Sequence, residues 1–212
     1  MKFEIKDNNW KRYNIFRHYI DNLRNVISMT CDIEITGFLD YVKKNNYRFY
    51  PGFMWAVSKI INSHEEFKLG WNDENQVGCY DIIHPYFAHF YKEDEQCVLL
   101  FTEYNENLAT FHNNFVNTLE KYKDCRAFDF KNVPKNVFNV SCLPWIHYKS
   151  FDIHVFDEGK YLAPVVTWGK YTQADDKVII PLSFNIHHAV ADGFHLSRFF
   201  IELQEYMDSF KN

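Results

Sequence analysis

Between Lys177 and Phe210 the hydrophobic period of the sequence changes once, and that change constrains the fold more than any other feature. Val178, Ile180, Leu182, Phe184 and Ile186 alternate with more polar residues, the period-two pattern of a strand with one inward face. Further on, Leu196, Phe199, Phe200, Leu203, Tyr206, Met207 and Phe210 fall on one helical stripe. The junction, Ile186-His187-His188-Ala189-Val190-Ala191-Asp192-Gly193-Phe194-His195, crowds three histidines, an aspartate and a glycine together, and Asp192 suits the N-cap of the helix. The alternation puts His188 on the apolar face, which makes it the more shielded histidine. A strand-to-helix junction holds side chains on rigid elements beside open space, so this stretch is the first candidate for chemistry.

The rest of the chain supplies partners for that strand and helix. Asn9 can cap a first helix running to about Tyr19, with Arg12, Ile15, Phe16 and Tyr19 on one face. Arg12 on that stripe reads first as snorkelling to solvent; the sharper reading gives it a buried carboxylate from elsewhere. Val26 to Ile35 reads as a strand, Thr36 as the cap of a short helix, and Pro51 as the opening of a buried helix to about His64. Three short strands follow (77–80, 86–91, 97–104), expected as neighbours, then a helix from Asn107 and a polar loop to about Lys135. Residues 137–143 and 151–156 read as strands, and 161–171 with 177–188 as a hairpin around Gln173-Ala174-Asp175-Asp176. The expected class is α/β: a two-layer arrangement of a mixed β-sheet with helices packed on it, one domain over residues 1–212.

Composition narrows the function. A formal charge of -5 and a pI near 6.0 give no basic field for nucleic acid. Five cysteines without a CxxC pair read as reduced thiols, and there is no apolar run of membrane-spanning length and no apolar leader near Met1; a soluble cytoplasmic protein is expected.

The junction allows three readings. As a metal site, His187, His188, Asp192 and His195 are competent ligands, but neighbouring strand residues point to opposite faces and no HExxH spacing fixes a geometry. As plain structure, His188 is a core histidine, Asp192 a cap and His195 part of a first turn. As a catalytic site, a shielded imidazole with a lowered pKa stays neutral and can accept a proton.

His187-His188-Ala189-Val190-Ala191-Asp192-Gly193 resembles the HHxxxDG signature of the chloramphenicol acetyltransferases. Asn9-Trp10-Lys11-Arg12 resembles their NWxR start, Phe49-Tyr50-Pro51 their FYP helix entry, Val140-Ser141-Cys142-Leu143-Pro144-Trp145 their VSxxPW stretch, and Ala163 to Tyr171 their APxxTxGKY strand. HHxxxDG also occurs in lipoamide acyltransferases and peptide-synthetase condensation domains. The chain is short for the latter, and no lipoyl or subunit-binding segment precedes the motif region as the former would have.

The resemblance implies a CoA-dependent acyltransferase fold and transfer of acetyl from acetyl-CoA, a co-substrate rather than a permanently bound cofactor, to a hydroxyl of chloramphenicol, inactivating the antibiotic. It implies His188 as general base, Ser141 as donor to the developing oxyanion, Thr167 as holder of a water near the same intermediate, and Asp192 paired with Arg12 to keep the site's shape. This replaces the snorkelling reading of Arg12. Trp145, Lys170 and Tyr171 become candidate CoA contacts, and Tyr19, Cys97 and Phe151 acceptor contacts, in a homotrimer with active sites between subunits. The acceptor side departs from the pattern: Cys97 stands where an aromatic residue is usual, and Asn25, Ile27 and the Phe151-Asp152-Ile153-His154 run also differ. Acylation of another small alcohol, and a non-catalytic trimeric binder of CoA or a hydrophobic ligand, are therefore the competing expectations.

Overall fold

The computed structural model describes residues 1–126 and 133–211. Its main sheet has seven strands, in the order β2 (Val26–Glu34), β10 (Lys177–His187), β8 (Val165–Gly169), β7 (Val137–Leu143), β5 (His84–Tyr91) and β6 (Gln96–Phe101), with β9 (Thr172–Ala174) paired to the start of β10. β7 runs parallel to β5 and β8; the other pairings are antiparallel, so the sheet is mixed as expected. β1 (Phe3–Ile5), β4 (Val77–Tyr80) and β3 (Leu69–Trp71) form a separate small sheet. Residues 77–80 are therefore not neighbours of β5 and β6; their partners are the N-terminal strand and a strand that follows α3 (Phe49–Ser63).

The alternation in β10 sends Ile180, Leu182, Phe184 and Ile186 to the helical layer, where Phe184 meets Phe199 of α5 (Gly193–Asp208) at a ring distance of 4.5 Å. α3 is the innermost helix, buried on most sides and packed against α5 and α4 (Leu108–Lys121); its Phe53 stands edge-on to Trp168 of β8. Ser183, Asn185 and His187 face the other side of the sheet, yet are also buried. Residues 144–164 cross that side: Tyr148 donates to the Thr167 carbonyl and Asn185 to the Ile153 carbonyl.

That crossing explains why residues 151–156 form no strand. They run over the face of β10, which is already flanked by β2 and β8, so they have no strand beside them to pair with there, and a side chain takes the Ile153 carbonyl instead. The hairpin is formed, but with a break. Trp168 pairs with Leu182 and Thr172 with Ile179, leaving three residues between them on one side and two on the other, so one extra residue bulges out at Lys170-Tyr171. The bulge accommodates Pro181, which has no N–H to offer there, and Gly169 lets the chains close: a Cβ on it would meet the Ile146 carbonyl oxygen and Pro181 Cγ at 2.8 Å.

α1 (Tyr13–Asp21) starts later than Asn9, because Asn9 gives both its amide and its side-chain NH2 to Asp7. Its inward residues are Phe16 and Ile20, and Ile15 is exposed. Thr36 is the first residue of α2 (Thr36–Lys44) rather than its cap, and its hydroxyl accepts from the Val178 amide, tying α2 to β10. Asn107 does cap α4, accepting from the Thr110 amide at 3.0 Å. Part of the polar loop expected before Lys135 lies outside the described residues.

Candidate active site

β10 ends at His187, and His188 opens a turn that feeds α5. The two histidines exchange the roles expected from alternation: His187 is 3% exposed and His188 only half-buried, because the strand stops one residue short of His188. His187 Nδ1 accepts from the Ala189 amide at 3.0 Å, and the His187 carbonyl accepts from the Val190 amide. An Nδ1 that accepts leaves the proton of the neutral ring on Nε2. Burial is the main cause that pushes the His187 pKa below the ordinary histidine value.

His188 is held the opposite way. Its Nδ1 lies 2.9 Å from the Ala191 carbonyl, which can only accept, so Nδ1 carries the proton and Nε2 presents its lone pair. Its amide donates to the Asn25 carbonyl, and its ring stacks on Tyr19 at 4.1 Å and 19°. Tyr19, expected as an acceptor contact, is thus packed flat against the candidate base.

Arg12 clamps this turn at three points. Nε donates to the Ala189 carbonyl at 2.8 Å, Nη2 to the His188 carbonyl at 3.0 Å, and Nη1 to Asp192 Oδ2 at 3.0 Å. Asp192 Oδ1 accepts from the Phe194 amide, capping α5 as the sequence predicted, and His195 Nδ1 lies close to both the Asp192 amide and Oδ1. Burial opposes the Asp192 charge, but Arg12 and His195 outweigh it and hold the carboxyl below the usual aspartate range. The ion pair is partly rather than fully buried, the Asp192 side chain being 39% exposed. Among the described residues no group of three or more His, Cys, Asp or Glu is placed to hold a metal.

A second group of candidates lies elsewhere in the protomer. Ser141, Cys97, Trp145, Lys170 and Tyr171 line one cavity of about 590 Å³, at the N-terminus of α3 and between β5, β6 and β7. Ser141 pairs in register with Thr167, whose hydroxyl is buried and has no hydrogen-bond partner among the described residues. Trp145 is largely exposed and meets Phe90 edge-on at 5.0 Å; Lys170 is fixed through its amide to the Ile146 carbonyl. Burial pushes the Cys97 thiol up and the Cys142 thiol up to about 12, so both remain protonated. His188, Arg12, Asp192, Tyr19 and Phe151 do not line this cavity, and Phe151 packs on Tyr148 instead. Clefts of about 310 and 800 Å³ elsewhere contain none of the candidates.

His89 and Phe90 also line the cavity and open on a neighbouring cleft with Arg48, Lys123 and Arg126. Sequence reading missed them; the alternation of β5 and the position of Arg48 just before the FYP helix entry were the available signals.

The family model described as chloramphenicol acetyltransferase matches residues 1–204. The chain belongs to the chloramphenicol acetyltransferase family. It is 37% identical over 213 residues to a chloramphenicol acetyltransferase of Clostridium butyricum, covering all of this chain and 97% of that one. It is 37% identical over 202 residues to one of Staphylococcus aureus, covering 95% and 94%. A solved chloramphenicol acetyltransferase shares the fold at TM-score 0.83 and 21% identity, over 97% of this chain and 100% of that one. The Azotobacter vinelandii dihydrolipoamide acetyltransferase shares it at TM-score 0.70 and 14% identity, over 93% of this chain and 88% of that one. As in the sequence expectation, this acetyltransferase-family chain has the mixed sheet and the helical layer of CoA-dependent acyltransferases. No helix among its described residues is long and apolar enough to cross a membrane.

Proposed function

We propose that this protein transfers the acetyl group of acetyl-CoA to a hydroxyl of chloramphenicol, with His188 as general base, and so inactivates the antibiotic in the cytoplasm. The observation that carries the reading is the tautomer of His188: with Nδ1–H given to the Ala191 carbonyl, the lone pair of Nε2 is free for the acceptor's proton. As Nε2 takes that proton, the acceptor oxygen bonds to the thioester carbonyl carbon. The former carbonyl oxygen becomes an oxyanion to which the Ser141 hydroxyl donates, and the Thr167 hydroxyl, which has no partner among the described residues, holds a water beside it. Collapse breaks the carbon–sulfur bond, and the CoA thiolate takes the proton back from His188. No acyl-enzyme forms.

The separation of His188 from the Ser141 cavity within one protomer supports a site completed by a second copy. In the proposed homotrimer the turn held by Arg12 and Asp192 faces the neighbour's cavity, and the whole 1–212 chain acts as one domain. CoA would lie along Trp145, Lys170 and Tyr171, with its phosphates toward the basic cleft at Arg48 and Arg126.

One observation favours a second acceptor. Cys97 puts a small thiol on the wall of an apolar cavity where an aromatic ring would grip a nitrophenyl group, so a different small alcohol acylated by the same His188 is the competing reading. A thiol-release assay with acetyl-CoA and either chloramphenicol or a panel of alcohols, run beside His188→Ala, decides. Release with the drug that His188→Ala abolishes supports the proposal, and release only with another alcohol supports the second reading. No His188-dependent release makes the protein a binder of CoA or of a hydrophobic ligand.

A further inference from the structure

The register of four strands lines up four hydroxyl residues across the sheet. Ser141 of β7 pairs with Thr167 of β8, Thr167 with Ser183 of β10, and Ser183 with Thr30 of β2. Directly paired residues share a face, so this row lies on the side away from the helices, under the crossing segment that carries Tyr148. Ser183 and Thr167 are buried almost completely, and Tyr148 nearly so.

Tyr148 inserts its phenol into this row. The hydroxyl donates to the Thr167 carbonyl at 2.5 Å, beside Ser183, the residue of β10 that pairs with Thr167 and interacts with the phenol. Ser183 Oγ in turn lies 2.7 Å from Thr30 Oγ1. Tyr148 spends its one hydrogen on the carbonyl, so its oxygen is left to accept, and the Ser183 and Thr30 hydroxyls share a hydrogen bond behind it. The phenol thus grips Thr167 by its main chain at the pair that Thr167 makes with Ser183, while the Thr167 hydroxyl has no hydrogen-bond partner among the described residues.

We propose that Tyr148, backed by Ser183 and Thr30, is a positioning residue for acyl transfer: it fixes the main chain of Thr167, and so the place of the Thr167 hydroxyl beside Ser141. The inference rests on the acyl-transfer reading above and assigns the relay a role that packing alone does not have. A buried phenol simply filling space would serve as well without its oxygen, whereas a positioning phenol would not.

The test is the steady-state kinetics of Tyr148→Phe, Thr167→Val and the double variant with acetyl-CoA and the acceptor that the thiol-release assay identifies. Tyr148→Phe is expected to lower kcat about five- to tenfold, the scale of one buried hydrogen bond, with both KM values held within about twofold. In the Thr167→Val background the same change is expected to cost less than about twofold, because its effect passes through Thr167. Unchanged kcat in Tyr148→Phe, or a loss repeated in full in the Thr167→Val background, overturns the inference. Should Tyr148→Phe fail to fold, Ser183→Ala keeps the ring and is read by the same two comparisons. A wild-type protein with no His188-dependent turnover on any alcohol overturns the acyl-transfer reading and this inference together; an active wild type with a fully active Tyr148→Phe overturns only this one.

Discussion

Arg12 and Asp192 stand 180 positions apart and meet at 3.0 Å, joining the start of the first helix to the cap of the last. The pair is one leg of a three-point clamp, since the same guanidinium also holds the carbonyls of His188 and Ala189. Its effect falls on the turn that presents His188, not on the substrate.

Asp192→Asn should therefore act through geometry. The neutral amide keeps the cap on α5 but loses the charge-assisted bond, a difference of about 1.5–3 kcal/mol and so about ten- to a hundredfold in kcat/KM. Because Asp192 is more than a third exposed, the stability cost should be smaller, about 1 kcal/mol. Acid titration checks the same pair. The folded carboxyl sits below its unfolded value of about 3.9, so its contribution is present above that pH and fades as pH falls through the folded pKa. Thermal unfolding between pH 5 and pH 3, which are conditions of about that range, should drop less steeply in Asp192→Asn than in the wild type.

Ser141→Ala should lower kcat by on the order of a hundredfold with little change in KM, since the hydroxyl is asked to bond an oxyanion that exists only after attack. Slowed turnover with unchanged acetyl-CoA affinity, measured by titration calorimetry, is the expected pattern; equal losses in kcat and in CoA binding would place Ser141 in the ground-state pocket instead.

The long elements were legible in the sequence because local pattern and tertiary role agreed. β7 and α5 begin and end close to where periodicity and the Asp192 cap put them, and the Arg12 to Asp192 contact follows from motif resemblance alone. What was not legible depended on neighbours in space. Residues 151–156 have strand-like residues but cross the face of β10 instead of lying beside an edge strand, and Asn9 is a fit cap that Asp7 engages first. The burial of His187 over His188 is of the same kind: the crossing segment covers the face that His187 shares with Ser183 and Asn185, and the strand ends before His188 can take the opposite face. The Tyr148 relay was invisible because its members come from four separated segments brought together by register.

His187 gives a pH prediction with a defined sign. Its folded pKa is below the unfolded value of about 6.5, so its contribution to stability is complete above that pH and is lost as pH falls toward the folded pKa. Protonating Nδ1 would also eject the Ala189 amide that it accepts. His84, His89 and His112 have lowered values as well and titrate in the same direction, so a variant is needed to isolate the effect. His187→Gln should be less stable than the wild type at pH near 7.5 by about 1 kcal/mol, and should lose less on going to pH near 5.5; urea denaturation at the two pH values gives both numbers.

Cys97→Phe tests which alcohol the cavity is shaped for. The thiol lies on an apolar wall of a space of about 590 Å³, shared with Trp145 and Ser141, so an added ring has room and an aromatic neighbour. If chloramphenicol is the acceptor, the ring adds apolar contact with its aryl group worth about 1–3 kcal/mol, and KM for the drug should fall by about ten- to a hundredfold while kcat holds. The same ring takes space from any bulkier acceptor, for which KM would rise instead. His188 and Ser141 are untouched by the change, so the direction of the KM shift reports the shape of the acceptor, and a rise with chloramphenicol beside unchanged KM for acetyl-CoA would point to a different alcohol as the one this cavity fits.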